Sequence, residues 1–237
     1  GSTLPLCSVA SKGSLPPWSD SEVDSIGMPI GEALSIRLHG SCKLRGIRLD
    51  RVLKLPGCMM RKNVSNVYRF SEEVEVIDTF VSHSWQSSAV AKHVTLCVRY
   101  RWRQSVVAGF AAAALGPLVC PIAHFKHQQS FCLVSIGCGM PALVLCILFW
   151  PSRHTVFLDK ACIEQDDAEA KRDGINSLGH FLKSSMTTLV LFDETYFTRL
   201  WCVFEFAVSL KLVENNNTVN KARSKIVVFP LEETVMM

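Results

Sequence analysis

Two long stretches without a single ionisable acid, base or histidine constrain this chain more than anything else in it. They are Ser105–Ala123 and Ser130–Pro151, separated by the six-residue turn His124–Gln129. A helix needs about 20 residues to cross a hydrocarbon core of roughly 30 Å, so each stretch is long enough to span a bilayer. The turn between them permits only an antiparallel pair. A core hairpin of a soluble protein keeps a polar stripe, whereas these runs are apolar all round. They also carry Gly109, Gly116, Pro117, Gly137, Gly139 and Pro141, residues that membrane helices tolerate. Arg99, Arg101 and Arg103 precede the first run and Arg153 follows the second, against Lys126 alone in the turn. That asymmetry predicts a membrane protein with two spans and both flanks in the cytosol. Residues 98–152 are therefore read as a transmembrane helical hairpin, with the lipid bilayer as its partner.

Composition agrees: 49% of the residues are hydrophobic and 19% charged, a low charge content for a soluble domain. A net charge of +4 without paired zinc ligands or an aromatic RNA-binding motif argues against nucleic acid. Of the ten cysteines, Cys132, Cys138 and Cys146 lie in one apolar run, and none forms a C-x-x-C pair, so reduced thiols are expected. His124 and His127 lack a third ligand nearby, and no metal is expected. The chain opens at Gly1 with a Ser- and Pro-rich stretch that has no signal-peptide core, the expectation for a piece of a longer protein.

Along the chain, residues 1–30 read as a disordered linker, too polar to offset the entropy of ordering. Residues 31–70 hold nine Lys or Arg against Glu32 and Asp50, with Ile47, Leu49, Leu53 and Leu55 between charges, a pattern that allows a short strand pair. Two readings stand for this segment: a basic patch near anionic lipid, worth about 1 kcal/mol per charge, or an ordinary solvated face. Beyond it, β-branched runs at 76–82, 155–159, 187–192 and 224–230 alternate with helical stretches at 174–185 and 199–213. Such alternation predicts an α/β domain with a parallel sheet wound by right-handed crossovers. The domain is split, 71–97 with 153–237, and the hairpin lies inside its first crossover. An even number of spans returns the chain to its starting side, so the first two strands can still pair.

The motif order resembles the TIR family. Phe80-Val-Ser-His-Ser-Trp85 is like that family's first strand, Val156-Phe-Leu-Asp159 like its second, and Leu200-Trp-Cys-Val-Phe-Glu-Phe206 like the W-C-x-x-E segment of plant-type members. Asp159-Lys-Ala-Cys-Ile-Glu-Gln165 is similar to the D-x-x-C-I-x-Q pattern of heterokaryon-incompatibility domains. The resemblance implies a flavodoxin-like sheet in the order 2-1-3-4-5. In this chain that sheet is C-terminally incomplete, because the sequence ends just after the fourth strand, and it is interrupted by the hairpin.

In such sheets ligands bind beyond the carboxyl ends of the strands, where the order reverses. Ser82, His83, Ser84 and Trp85 would line one side of that crevice, and Asp193, Glu194 and the following helix the other. Many TIR domains hydrolyse NAD, and the resemblance gives the catalytic role to Glu205. NAD is then the substrate, and no resident cofactor is expected. Glu205 is the sole acid between Arg199 and Val213, with Trp201 one turn earlier on the same face. If buried, its pKa rises. Ser82, His83, Trp85 and Trp201 are the candidate substrate-binding residues, the two indoles offering flat surfaces for stacking. The structural alternatives stay open: Glu205 in an ion pair, Trp201 as core filler, and His83 bonded to backbone at a strand end, which is favoured. Asp159 orients or caps the next loop, and Cys202, in an apolar helix, is expected to be inert. The function implied is a membrane-anchored signalling NAD hydrolase activated by self-association through the loop from Ala161 to Gly174. The alternative is a non-catalytic adaptor that recruits other TIR-like domains.

Overall fold

The computed structural model describes residues 42–54, 58–61, 66–119, 128–218 and 225–231. Strands run β1 Arg45–Arg48, β2 Glu72–Glu73, β3 Ile77–His83, β4 Thr155–Phe157, β5 Ser185–Phe192 and β6 Lys225–Pro230. Helices run α1 Leu49–Leu53, α2 Ala89–Val119, α3 Gln128–Phe149, α4 Asp159–Cys162, α5 Ala168–Asn176, α6 Leu178–Lys183 and α7 Leu200–Thr218. The described residues form two compact units, one of those up to Lys92 and from Arg153 onward, the other of His93–Ser152.

The first unit is an α/β fold on a mixed six-stranded sheet, ordered β2-β1-β4-β3-β5-β6. β4, β3, β5 and β6 are parallel, while β1 runs antiparallel to β4 and β2 antiparallel to β1. β3 is buried along almost its whole length, as a central strand covered on both faces must be. Its register places Thr79 opposite Val156 and Phe80 opposite Phe157 on one side, and Ser82 opposite Val190 on the other. Phe80 stacks on Phe157 with ring centroids 4.6 Å apart, and Phe157 meets Phe181 of α6 at 4.8 Å. Asp78 accepts the backbone N–H of Thr155 at 2.7 Å, which holds the start of β4 against β3.

Two local readings change. The helical pattern over 174–185 is broken at Ser177, whose N–H and hydroxyl both donate to the Asp173 carbonyl, and its last residue already belongs to β5. In the basic segment Arg45–Arg48 is a strand, but its partners are β2 and β4 rather than a second strand of the same segment. Leu49 and Leu53, which continued the alternation, sit in α1. Much of the segment's charge is met within the fold. Lys43 pairs with Glu73, Arg48 with Asp50 and Arg51 with Glu72, while Arg45 lies over the Tyr68 ring. The linker over 1–30 and the His124/His127 turn lie outside the described residues.

In the second unit α2 and α3 run antiparallel in close contact. A methyl group on Gly139 would lie 2.8 Å from Ala113 Cβ and 3.0 Å from the Gly109 carbonyl, and one on Gly116 would lie 2.6 Å from Cys138 Sγ. Small residues let the backbones approach this closely. At the other end Arg101 Nη1 donates to the carbonyls of Ile147 at 3.1 Å and Leu148 at 2.6 Å. It thereby satisfies acceptors that the end of a helix leaves without intrahelical partners. Beyond the exposed Arg103 and Gln104 of α2 the outward faces are apolar, with Phe110 74% and Leu133 71% exposed. Among the described residues one helical segment, Phe131–Phe149, is long and apolar enough to cross a membrane, with a mean hydropathy of 2.4.

Candidate functional site

The carboxyl ends of β3, β4 and β5 bring together an unusual density of buried polar side chains: Ser82, His83, Ser84, Lys92, Asp159, Asp193 and Glu205. β3 contributes the first three because its register against β5 carries its end to the rim of the sheet. β4 ends just before Asp159, β5 just before Asp193, and α7 lays Glu205 against β3 from one face. The chain passes from β3 to β4 on one side and then to β5 on the other, so the gap between β3 and β5 is where strand order reverses, the usual ligand position in an open α/β sheet.

Glu205 is 3% exposed. Ser82 Oγ donates to its Oε2 at 2.5 Å, and the Tyr196 hydroxyl lies 2.6 Å from the same Ser82 oxygen. With the Ser82 proton committed to the carboxylate, Tyr196 donates to Ser82, and a two-hydroxyl relay ends on Glu205. Burial pushes the Glu205 pKa well above the ordinary carboxylate range; the nearby Asp159 charge adds to the rise, and hydrogen bonds from Ser82 and Trp201 oppose it. Trp201 is buried one turn earlier beside Phe204, and Ser209, one turn later, donates to the Glu205 carbonyl at 2.8 Å. The inner face of α7 thus reads Trp201, Glu205, Ser209. Among the described salt bridges Glu205 has none.

A second group adjoins it. Trp85 is half-buried, its indole N–H donating to Asp159 Oδ2 at 3.0 Å. His83 packs edge-on against its ring at 4.5 Å. The Lys92 and Lys160 ammonium groups lie 5.6 and 5.4 Å from its centroid. Trp85 is therefore a tethered wall, and Asp159 holds it as well as accepting the N–H of Lys160 at 2.6 Å. Across the crevice Ser84 Oγ lies 2.8 Å from Thr195 Oγ1, which donates to Asp193 at 2.9 Å. This chain of bonds ties the end of β3 to the end of β5.

His83 does bond to backbone, through Val81, and burial holds its pKa well below the ordinary range. Its Nε2 is nevertheless buried with no hydrogen-bond partner among the described residues. Burial also raises the Cys202 thiol pKa, and its Sγ donates to the His83 carbonyl at 3.6 Å, so the thiol is held as an unreactive packing group.

The structure gathers Ser82, Glu205 and Trp201 into one cluster and His83 with Trp85 into the next. Sequence reasoning missed Lys92, which is 0% exposed with no hydrogen-bond partner for Nζ among the described residues. Val90 and Val94, two residues to either side, are exposed, so the apolar residues nearest it give no sign of its burial. A lysine alone on the first turns of α2 was the available signal. The segment from Ala161 to Gly174 is buried at Ala161, Cys162 and Ile163 and exposed over 166–169. Exposed apolar surface lies on the outer side of α7 and the turn before it, at Phe197, Leu200, Val203 and Leu210. A cavity of about 280 Å³, lined by Arg45, Tyr68, Cys162 and Glu164 among others, shares no residue with the Glu205 cluster. Among the described residues no three His, Cys, Asp or Glu side chains are placed to hold a metal ion.

Set against protein-family models, curated proteins and solved structures, the chain matches none of them.

Proposed function

We propose that this chain is a membrane-anchored, TIR-like signalling domain that hydrolyses NAD at the bond between nicotinamide and ribose. The observation that carries the reading is Glu205: a buried carboxyl group, hydrogen-bonded by Ser82, at the reversal point among the parallel strands of a mixed sheet. The strand order β4-β3-β5-β6 supports a flavodoxin-like arrangement, since in chain order of the parallel strands it reads 2-1-3-4. Breaking the bond builds positive charge on the ribose, and a fixed carboxylate beside it stabilises that charge. In the unliganded domain burial keeps the group protonated to higher pH than usual; a cationic pyridinium ring nearby favours the carboxylate. Ser82 and Tyr196 hold the carboxylate in place as it forms. Trp85 and Trp201 border the two halves of the crevice.

Residues 98–152 anchor the domain as a hairpin of two spans with both flanks in the cytosol. Support comes from the apolar outward faces of α2 and α3 and from their glycine contacts. Confinement to a bilayer raises the effective concentration of neighbouring copies, which favours activation by self-association.

The test is nicotinamide release from NAD by the full chain in membranes, comparing wild type with Glu205→Gln. Release by the wild type alone is expected; equal background in both removes the enzyme. The second reading, a non-catalytic adaptor for other TIR-like domains, is favoured by the exposed stripe Phe197, Leu200, Val203 and Leu210. It predicts that Val203→Glu abolishes cross-linked assemblies while no chemistry is ever detected.

A further inference from the structure

Two buried polar atoms in the Trp85 cluster have no partner within the described protein: Lys92 Nζ and His83 Nε2. Both groups lie against the same indole, His83 at 4.5 Å between ring centroids and the Lys92 ammonium at 5.6 Å from the ring centre. Their chemistry is complementary. The other nitrogen of the His83 ring bonds to the Val81 backbone, and a neutral imidazole that donates at one nitrogen presents a bare lone pair at the other. His83 Nε2 is therefore an acceptor, while the lysine ammonium only donates. A buried donor and a buried acceptor left unmatched around the same indole are costly unless something fills them.

We infer that Lys92 and His83 form a recognition pair for a planar carboxamide, Lys92 donating to its carbonyl oxygen and His83 Nε2 accepting from its N–H, with Trp85 as the wall of the pocket. Neither neighbouring acid is hydrogen-bonded to Lys92. Asp159 accepts from Trp85 and from the Lys160 N–H, and Asp193 accepts from Thr195. Entry is from the Trp85 side, since Trp85 is half-exposed and Gln86 and Ser88 beside it are exposed. The indole has to shift to admit a ring. The choice of carboxamide rests on the NAD reading above, where it belongs to the nicotinamide ring. The N1/N6 edge of adenine offers the same adjacent acceptor and N–H donor. Recognition is a binding property and does not depend on cleavage.

The experiment is saturation-transfer NMR on the full chain in detergent micelles, with empty micelles as control. Nicotinamide is compared with 3-acetylpyridine, which keeps the carbonyl and lacks the N–H. The wild type is expected to bind nicotinamide saturably and 3-acetylpyridine at least about tenfold more weakly, the effect of leaving one buried acceptor unmatched. His83→Phe is expected to bring the two ligands level, and Lys92→Met to weaken both by about tenfold. Absence of saturable nicotinamide binding, or equal affinity for both ligands in the wild type, overturns the inference, and neither result depends on a variant folding. Displacement of nicotinamide by adenosine extends the pair to the adenine edge; failure to displace restricts it to the carboxamide, and either upholds it. Nicotinamide binding by a chain that releases none from NAD removes the hydrolase and leaves the pair standing. Release without binding does the reverse.

Discussion

Lys92→Met is expected to make the domain more stable. Lys92 is fully buried, its Nζ donates to no partner among the described residues, and the surroundings lower its pKa from the ordinary 10.5 to about 8. The largest cause is desolvation; the charges of Asp193 and Asp159 act the other way, and on the β3 side the group is faced by a neutral His83. A displacement of that size corresponds to about 3 kcal/mol at pH 7, since each pKa unit is about 1.4 kcal/mol. The sign follows from proton binding. Between about pH 8 and 10.5 the unfolded chain holds more protons on this lysine than the folded one, so stability rises with pH across that window and the full cost is present below it. Methionine keeps the volume and removes the charge. Thermal unfolding followed by near-ultraviolet circular dichroism in detergent is expected to show the variant melting about 6–12 °C higher at pH 7. The gap should shrink as the pH approaches 10.5. An unchanged or lower melting temperature at pH 7, or a gap independent of pH, refutes the reasoning.

Other expectations follow from the same geometry. The Glu205 pKa is raised, so the rate of nicotinamide release should climb with pH through a value above the ordinary carboxylate range, and a flat profile from pH 5 to 8 would count against Glu205 as the ionising group. For the same reason the folded state binds the extra proton, and the wild type should lose stability relative to Glu205→Gln as pH rises above about 4.3, which denaturant titrations at pH 4 and 7 would reveal. Ser82→Ala removes the donor between Tyr196 and Glu205 and should cost about 1–3 kcal/mol, measured by the same titrations. Gly139→Leu drives a side chain into Ala113 and the Gly109 carbonyl, and should separate α2 from α3, seen as protease cleavage within the hairpin in detergent.

What could be read in advance depended on whether its cause was local. The runs that became β3, β5, β6 and α7 announce themselves by β-branched content or helical spacing, and a lone acid in an apolar helix drew attention to Glu205. Ser82 was legible as a residue of the crevice but not as the partner of Glu205, because it lies 123 positions away and nothing in either segment encodes the bond between them. The Trp85–Asp159 bond is of the same kind, spanning 74 positions. Lys92 escaped because its burial is decided by the end of the sheet, against the pattern of its own helix, where Val90 and Val94 face outward. β1 was legible only as an alternation. That it would run antiparallel beside β4 depends on β4, a strand of three residues too short to signal its neighbours.

The place of β4 between β1 and β3 has a consequence for synthesis. A ribosome finishes β1, β2 and β3 before the hairpin and β4 only after it, so the nascent amino-terminal portion carries three strands with a vacant slot between β1 and β3. Until the greasy insert has left the exit tunnel that slot stays empty, and the early half of the domain must be shielded from other strands. Assembly of the sheet is thereby timed by delivery of the hairpin.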